Sequence, residues 1–210
     1  SIIASRYPEH SDKLFIVGNP RIDLLKKKYD RINKEQVKKI IDLHSPYILI
    51  VSNFSSVNMF NTPLEEEKRY LYHLNRAKKL KMIKNKKQEE NFREYYLYIN
   101  EIFNHFNDLV IEISTYFPNY NIIIRPHPSE DHKIWNTIAK EHSNVKVIYE
   151  ETLDVWLKGA ELVINNSCTS SIESLLLDRP CISYRPIKSK KYDQPLPNKV
   201  SKNVFSGNEV

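Results

Sequence analysis

Two polar clusters, each directly after an apolar run, contain the residue types best suited to chemistry. The first follows the apolar run 122–124 and consists of Arg125, His127, Pro128 and Ser129. A guanidinium and an imidazole on a proline-stiffened loop place two donors for an anionic leaving group at little entropic cost. The structural alternative makes His127 a hydrogen-bonded turn residue and Arg125 a surface ion pair. Position after a strand favours the functional interpretation.

The second cluster follows the apolar run 162–164 and is rich in hydroxyl and amide side chains: Asn166, Ser167, Thr169, Ser170, Ser171 and Glu173. Such groups at the start of a helix form an anion site, because unpaired N–H groups and the helix dipole face the ligand. A phosphate fits there. Ser170 and Glu173 also have the spacing of a capping box, which would close the helix start. Alternatively, Glu173 accepts hydrogen bonds from ribose hydroxyls, and the two roles are not exclusive.

The elements that must position these clusters follow from the apolar periodicity. Short apolar runs bounded by turn residues predict strands at 14–17, 47–51, 121–125, 145–148, 162–164 and 181–184. Helical segments separate them, and parallel strands need such crossovers. We therefore predict an α/β fold: a single Rossmann-like domain, with a parallel sheet flanked by helices on both faces. Its neighbouring strands should carry Ile48, Ile123, Val147, Val163 and Ile182.

The middle of the chain predicts a long helical insertion, residues 62–117, within a domain spanning 14–185. Thr62-Pro63-Leu64-Glu65 has the form of a capping box, so a helix should start there and run to about residue 84. Apolar residues then recur at helical spacing from Phe92 to Phe117, which predicts a second, longer helix packed on the sheet or another helix. We expect residues 1–13 to be a linker or a residual N-terminal segment, and 186–210 to be an irregular tail.

Composition narrows the function. The 210 residues carry a net charge of +6, with lysines clustered at 26–28, 78–87 and 188–191, which favours anionic partners. Solvated helix faces explain much of this charge, and an acidic membrane surface remains a candidate peripheral contact. Aromatic residues lie at core-like spacing rather than among the basic runs, which argues against nucleic acid.

Cys168 and Cys181 lack metal-site spacing, so no metal or cofactor is expected. Without a membrane-length apolar run, we expect a cytoplasmic protein.

Four segments together resemble the C-terminal half of surface carbohydrate biosynthesis proteins: 18–23 (GNPRID), 125–130 (RPHPSE), 166–173 (NSCTSSIE) and 180–184 (PCISY). The His-Pro pair followed by a serine-rich helix start is also similar to bacterial sialyltransferases and Kdo transferases of the GT-B fold. Those enzymes use CMP-activated sugars. The resemblance covers nearly the whole chain, and residues 53–88 match least.

The resemblance implies the nucleotide-sugar-binding domain of a glycosyltransferase in bacterial surface polysaccharide biosynthesis, with a CMP-sugar favoured as donor. It further implies that His127 contacts the donor phosphate or cytidine, and that Ser170 and Ser171 hold the phosphate. A glycan or lipid-linked acceptor and an N-terminal domain outside this sequence would complete the enzyme. Glu130, Asp131 and His127 are the ionisable groups near the predicted cleft, and none is assigned as the catalytic base.

Three alternatives stay open. A UDP-sugar 2-epimerase-like enzyme shares this fold, although Asn166-Ser167-Cys168-Thr169 replaces the glycine-rich phosphate loop common in UDP-sugar sites. A glycerophosphotransferase that uses CDP-glycerol also pairs a His-Pro loop with a serine-rich helix start. A non-catalytic partner-binding domain would explain the long aromatic helix but not the two polar clusters. Nucleotide binding separates the last alternative from the others.

Overall fold

Six parallel strands form one sheet in the computed structural model, which describes residues 2–15 and 18–210. The strands are β1 (Tyr47–Val51), β2 (Asn121–Arg125), β3 (Val145–Val147), β4 (Leu162–Asn165), β5 (Cys181–Tyr184) and β6 (Lys202–Val204). Their order in the sheet is β3-β2-β1-β4-β5-β6. This is the doubly wound Rossmann order. Strands β1 to β3 are added towards one edge of the sheet and β4 to β6 towards the other, so the order switches between β1 and β4. Ligands of such sheets bind outside the carboxyl ends of the strands at that switch point.

Nine α-helices accompany the sheet in the described part of the chain: α1 (Ile2–Arg6), α2 (Pro20–Asp23), α3 (Lys34–His44), α4 (Glu66–Lys79), α5 (Lys86–Tyr116), α6 (Lys133–Glu141), α7 (Leu153–Gly159), α8 (Ser170–Leu176) and α9 (Pro195–Lys199). Short 3₁₀ helices lie at Pro8–Lys13, Lys27–Asn33 and Gly207–Glu209. No helix within 2–15 and 18–210 combines the length and the apolar character needed to cross a membrane.

Both faces of the sheet are covered, which explains why the central strands read as continuous apolar runs. Ile48 and Ile50 of β1 point to one core, which contains the apolar face of α5 and Trp135 of α6. Leu49 and Val51 point to the other core, with residues of α3 and α7. Successive side chains of a strand point to opposite faces, so a strand buried on both must be apolar at every position.

The predicted parallel sheet is confirmed. Leu49 pairs in register with Ile123 on one side and with Val163 on the other. Ile124 pairs with Val147, and Ile164 pairs with Ile182, so the five strands predicted to be neighbours, those with Ile48, Ile123, Val147, Val163 and Ile182, lie side by side in one sheet. The predicted helix at Phe92 to Phe117 corresponds to α5, which begins six residues earlier. Its buried face packs on the sheet, as the stripe required.

The C-terminal segment 186–210 differs from the irregular tail that we expected. It contains α9 and then β6, which pairs in parallel with β5 through Ser183 and Asn203. Only Val204 of the three β6 residues is buried. A short edge strand with Lys202 and Asn203 in it has no apolar run, so periodicity gives no signal for it.

Three local expectations near the N-terminal side also need correction. The capping box at Thr62 does not form: α4 begins at Glu66, and the Thr62 hydroxyl instead contacts Nε2 of His73 at 3.2 Å. Residues 21–29, one of the helical segments expected between the strands predicted at 14–17 and 47–51, are divided between α2 and the 3₁₀ segment Lys27–Asn33. Of the strand expected at 14–17, residues 16 and 17 lie outside the described residues, and Leu14 and Phe15 are exposed and outside any strand.

The packing of α5 in the core leads to a prediction about the stability of the protein. Phe106 is fully buried against Phe54 and Tyr184, whereas Tyr116 on the same helix is 74% exposed. Phe106→Ala should lower the free energy of unfolding by about 3 to 5 kcal/mol, because it removes transfer energy and leaves a cavity. Tyr116→Ala is the matched control and should change it by less than about 0.5 kcal/mol. Urea unfolding of both variants measures this, and equal effects would contradict the packing described.

Candidate functional site

A cleft of about 610 Å³ opens at the carboxyl edge of the sheet, at the switch point between β1 and β4. Its walls come from the ends of β1 and β2, the loop after β3, the start of α8 and the short helix α2. The lining residues are Arg21, Leu24, Leu25, Val51, Ser52, Arg125, Pro126, His127, Pro128, Tyr149, Glu151, Thr152, Leu153, Asp154, Cys168, Thr169, Ser170 and Glu173. Six of the ten predicted site residues are among them: Arg125, His127, Pro128, Thr169, Ser170 and Glu173.

Glu130 fixes the loop that carries His127. Its carboxylate is fully buried, and Oε1 accepts hydrogen bonds from Ser52 Oγ at 2.7 Å, from Phe54 N at 2.8 Å and from His127 N at 3.2 Å. Trp135 Nε1 donates to Oε2 at 3.2 Å. A buried charge is tolerated only when it is hydrogen-bonded this fully. Glu130 therefore locks the end of β1 to the loop after β2, which argues against a catalytic role for its carboxylate.

His127 lines the cleft, and one of its ring nitrogens is engaged by the neighbouring Ser129. Its Nδ1 accepts a hydrogen bond from the backbone N–H of Ser129 at 3.3 Å and lies 2.8 Å from the Ser129 hydroxyl. With Nδ1 acting as the acceptor, the neutral ring carries its hydrogen on Nε2. Nε2 has no hydrogen-bond partner within the described residues, so its N–H is available to an anion. Ser129 thus acts on the site through His127 and does not itself line the cleft.

Arg125 is a buried cation. The alternative interpretation of the sequence, in which Arg125 belongs to a surface ion pair, is therefore wrong. Its guanidinium donates to the carbonyl oxygens of Glu150 and Glu151 and lies 5.5 Å from the ring centroid of Trp156. Burial lowers the pKa of Arg125 from its ordinary value. No carboxylate in the described part of the chain forms an ion pair with it. Arg125 therefore shapes the loop after β3 and contributes a positive charge beneath the cleft.

The GNPRID segment supplies the opposite wall. Gly18 has a φ of +79°, a conformation that residues with a side chain rarely adopt, and Asn19 follows as the N-cap of α2. Asn19 Oδ1 accepts a hydrogen bond from Arg21 N at 3.1 Å, and Pro20 occupies the first helical position, where its missing N–H costs nothing. This turn directs Arg21 to Glu173, with Nη2 2.8 Å from Oε1.

Ser170 and Glu173 do not form the capping box that their spacing predicted. Thr169 is the N-cap residue of α8 and makes no side-chain capping bond. The Ser170 hydroxyl is buried and has no hydrogen-bond partner in the described structure. Glu173 is 4% exposed, and burial raises the pKa of its carboxyl despite the nearby Arg21 guanidinium. Both groups line the cleft: the Ser170 hydroxyl lacks a partner in the described structure, and Glu173 has Arg21 as its one ion-pair partner.

Four predicted site residues are not in the cleft: Ser129, Asn166, Ser167 and Ser171. Asn166, Ser167 and Ser171 instead form hydrogen bonds that fix the loop between β4 and α8. Asn166 Nδ2 donates to the carbonyl of Tyr184 at 2.9 Å, Ser167 Oγ donates to Asn198 Oδ1 at 3.1 Å, and Ser171 exchanges hydrogen bonds with the side chain of Asn165. These partners belong to β5, α9 and β4, so the contacts position the start of α8.

Sequence reasoning missed several cleft residues. Ser52 directly follows β1, so the strand-end rule that identified His127 also applies to it. The segment from Glu151 to Asp154 follows β3 by the same rule. Arg21 was part of the GNPRID resemblance, but its contact with Glu173 joins residues far apart in the chain and has no local signal. In the described residues, no group of three or more His, Cys, Asp and Glu side chains is arranged to hold a metal ion.

The strand order and the cleft place this chain in the doubly wound, Rossmann-like class of α/β domains. No protein-family model matches the sequence, and no curated protein is significantly similar to it. Solved structures do resemble it. UDP-GlcNAc 2-epimerase from Methanocaldococcus jannaschii is 18% identical with a TM-score of 0.47, over 97% of this chain and 48% of the epimerase.

Two further solved structures are similar to this chain. The UDP-GlcNAc 2-epimerase of Neisseria meningitidis, bound to UDP-GlcNAc, is 13% identical with a TM-score of 0.45, over 86% of this chain and 40% of that protein. KpsC of Thermosulfurimonas dismutans, a β Kdo 2,4 transferase, is 13% identical with a TM-score of 0.36. That match covers 90% of this chain and 54% of KpsC. The chain spans about half the length of these proteins. At such identities, the chemistry of this chain must be argued from its own residues.

The burial of Glu173 leads to a prediction about how stability depends on pH. Its folded-state pKa lies above the ordinary value of 4.5. The folded protein therefore binds more protons than the unfolded chain as pH rises from about 4.5 through that pKa, and stability falls over this range. Glu173→Gln should thus be more stable than the wild type at pH 7, with the difference shrinking towards pH 4. The exposed Arg21 contact offsets at most about 1 kcal/mol of this gain.

Urea unfolding at the two pH values measures the effect. Glu101→Gln is the control, because Glu101 is exposed on α5 and should show no such pH-dependent gain. A Glu173→Gln variant that is less stable than the wild type at pH 7 would mean that the ion pair with Arg21 outweighs desolvation.

Proposed function

We propose that this chain is the nucleotide-sugar-binding domain of a glycosyltransferase in bacterial surface polysaccharide biosynthesis, with a CMP-sugar as donor. In this proposal it forms the C-terminal half of a GT-B enzyme. The observation that carries the proposal is the cleft at the switch point, whose lining includes His127 with a free Nε2–H, the unpaired Ser170 hydroxyl and Glu173 with Arg21 as its one partner. These are the groups that a phosphate and a ribose need.

Each group of the cleft has a chemical counterpart in a nucleotide sugar. The Nε2–H of His127 and the Ser170 hydroxyl would donate to phosphate oxygens. The buried Glu173 carboxylate would accept two hydrogen bonds from the ribose diol, and Arg21 would then have to move from it. Leu24, Leu25 and Leu153 line an apolar wall for a base or a sugar face. A volume of about 610 Å³ lies within the usual range of about 300 to 1,000 Å³ for small-molecule sites.

The charges of the cleft favour one phosphate over two. Arg21 and Arg125 are the cations of the lining, and Glu151, Asp154 and Glu173 are its acids. Each phosphate group brings further negative charge to this net negative lining, so one phosphate is disfavoured less than two. CMP-sugars link the sugar through a single phosphate. This supports a CMP-sugar over CDP-glycerol or a UDP-sugar, which are the ligands of the alternative functions.

The acceptor, a glycan or a lipid-linked sugar, would bind to a second domain outside this sequence. We assign the catalytic base to that domain as well, because three acids in or beside the cleft are held by other contacts. Glu130 is locked in its network, Asp131 accepts from Lys133 N at 3.0 Å at the start of α6, and Asp154 accepts a hydrogen bond from Asn33. The part of the reaction assigned to this chain is the binding and orientation of the donor.

A histidine substitution tests the phosphate contact. His127→Ala should weaken CMP binding by about 1.5 to 3 kcal/mol, the usual contribution of a hydrogen bond to a charged group, with little loss of stability. His105→Ala, on α5 and away from the cleft, is the matched control. Calorimetric titration with CMP, CDP, UMP and UDP measures the affinities. Unchanged affinity for all four in His127→Ala would disprove the donor site, and tightest binding of UDP would favour the 2-epimerase-like alternative.

A pair of serine substitutions separates binding from stability. Ser170→Ala removes a hydroxyl with no partner in the described structure, so it should weaken CMP binding and leave the free energy of unfolding within about 0.5 kcal/mol of wild type. Ser167→Ala removes the bond to Asn198 and should do the reverse, costing about 0.5 to 1.5 kcal/mol of stability with little effect on affinity. Equal loss of affinity in both variants would mean that Ser170 acts only by positioning the loop.

A further inference from the structure

The positive charge of the chain is concentrated in one short segment. Residues 76–87 contain seven lysines and arginines and no acid. The whole chain has 32 basic and 26 acidic residues, so 25 basic residues against 26 acidic ones remain elsewhere. The net charge outside 76–87 is therefore close to zero. All seven cations are exposed, and only Lys78 forms an ion pair, with Glu89 at 2.9 Å, within the described residues.

This segment is the tip of a helical hairpin formed by α4 and the N-terminal half of α5. Tyr70 of α4 packs against Phe92 and Tyr96 of α5, and residues 80–85 make the turn. The turn has a defined conformation: Lys81 adopts a φ of +57°, and Met82 N donates to the carbonyl of Ala77 at 3.0 Å. That is a Schellman motif, which ends a helix sharply.

Helix stability explains only some of the charges of this tip. Arg76, Lys78 and Lys79 lie in the last turn of α4, where cations interact favourably with the helix dipole. Lys86 and Lys87, however, lie in the first turn of α5, where the same dipole repels them. Two large apolar side chains at the tip are also exposed, Leu80 at 58% and Met82 at 66%. A cationic surface with protruding apolar side chains matches the interface of an anionic bilayer.

The hairpin projects from the same edge of the sheet as the cleft. α5 ends at Tyr116 and β2 begins at Asn121, so the helix runs back past the strand to its carboxyl end. With 31 residues α5 is about 46 Å long, whereas the five residues of β2 span about 17 Å. Tyr98 accordingly reaches the segment beyond β5, where its hydroxyl donates to Asp193 at 2.8 Å. A surface bound by the tip would lie on the side to which the cleft opens.

We propose that this hairpin tip, residues 76–87, docks the protein on an anionic phospholipid surface. Lysines and Arg76 contact the headgroups, and Leu80 and Met82 insert between them. A lipid surface accounts for both the charge and the two apolar side chains. Nucleic acid accounts only for the charge, because the tip has no aromatic residue on which a base could stack. This proposal does not depend on the nucleotide assigned to the cleft.

Vesicle flotation of the full chain tests it, with vesicles of phosphatidylcholine alone or mixed with phosphatidylglycerol. Wild type should bind only the mixed vesicles, and added salt should weaken binding steeply. The double variant Lys84→Gln and Lys87→Gln should lose binding on the order of twentyfold, about fivefold for each lysine. The control Lys39→Gln and Lys140→Gln changes the net charge equally away from the tip, and it should bind nearly as well as wild type.

A third variant isolates the apolar contribution. Leu80→Ser with Met82→Ser keeps every charge, and it should lose the part of the binding that persists at high salt. Circular dichroism melting checks that all variants stay folded. Equal binding to both kinds of vesicle, or equal loss in the control, would overturn the proposal. Tighter binding of wild type to a short DNA duplex than to mixed vesicles at the same salt, abolished in the Lys84 and Lys87 variant, would assign the tip to nucleic acid.

Discussion

The buried carboxylate of Glu130 is the constraint on which the site depends. Removing a carboxylate from water is costly, so it must accept hydrogen bonds from groups around it. Here those donors come from the end of β1, from the loop after β2 and from Trp135 of α6. One negative charge thus holds three elements in register at the switch point of the sheet. The position of the His127 backbone, and with it one wall of the cleft, follows from this network.

The opposite wall is built differently, and the contrast supports a binding role. Glu130 is satisfied entirely from within the protein, whereas Glu173 is equally buried and has one exposed arginine as its partner. The Ser170 hydroxyl, one helical turn away on α8, has no partner in the described structure. A folded protein gains stability by satisfying such groups, and the side chains of Asn166, Ser167 and Ser171 beside them all have partners. An unpaired hydroxyl and a carboxylate with a single exposed partner thus line the same cleft, which supports the proposed ligand site.

The sequence predicts the sheet well because the strands are buried on both faces, so that each of them is a continuous apolar run such as 47–51. The strand-end rule then identifies His127, Ser170 and Glu173 as cleft residues. It cannot distinguish Ser170 from Asn166, Ser167 and Ser171, because all four are small hydrogen-bonding side chains in the same segment after β4. The distinction depends on partners such as Asn198 of α9. That helix lies in the tail, which contains no periodic signal, and β6 escapes prediction for the same reason.

The long helix α5 links the core to the charged hairpin, and its two halves have separate physical roles. The C-terminal half buries Phe103, Phe106 and Ile113 in the core, which anchors the helix irrespective of its other end. The N-terminal half packs on α4 through aromatic contacts and carries the lysines outward. Because the anchor lies in the core, repulsion among the tip cations and with the helix dipole cannot displace the helix. A sequence can therefore maintain an unfavourable concentration of charge at the tip, on the side of the fold where the cleft opens.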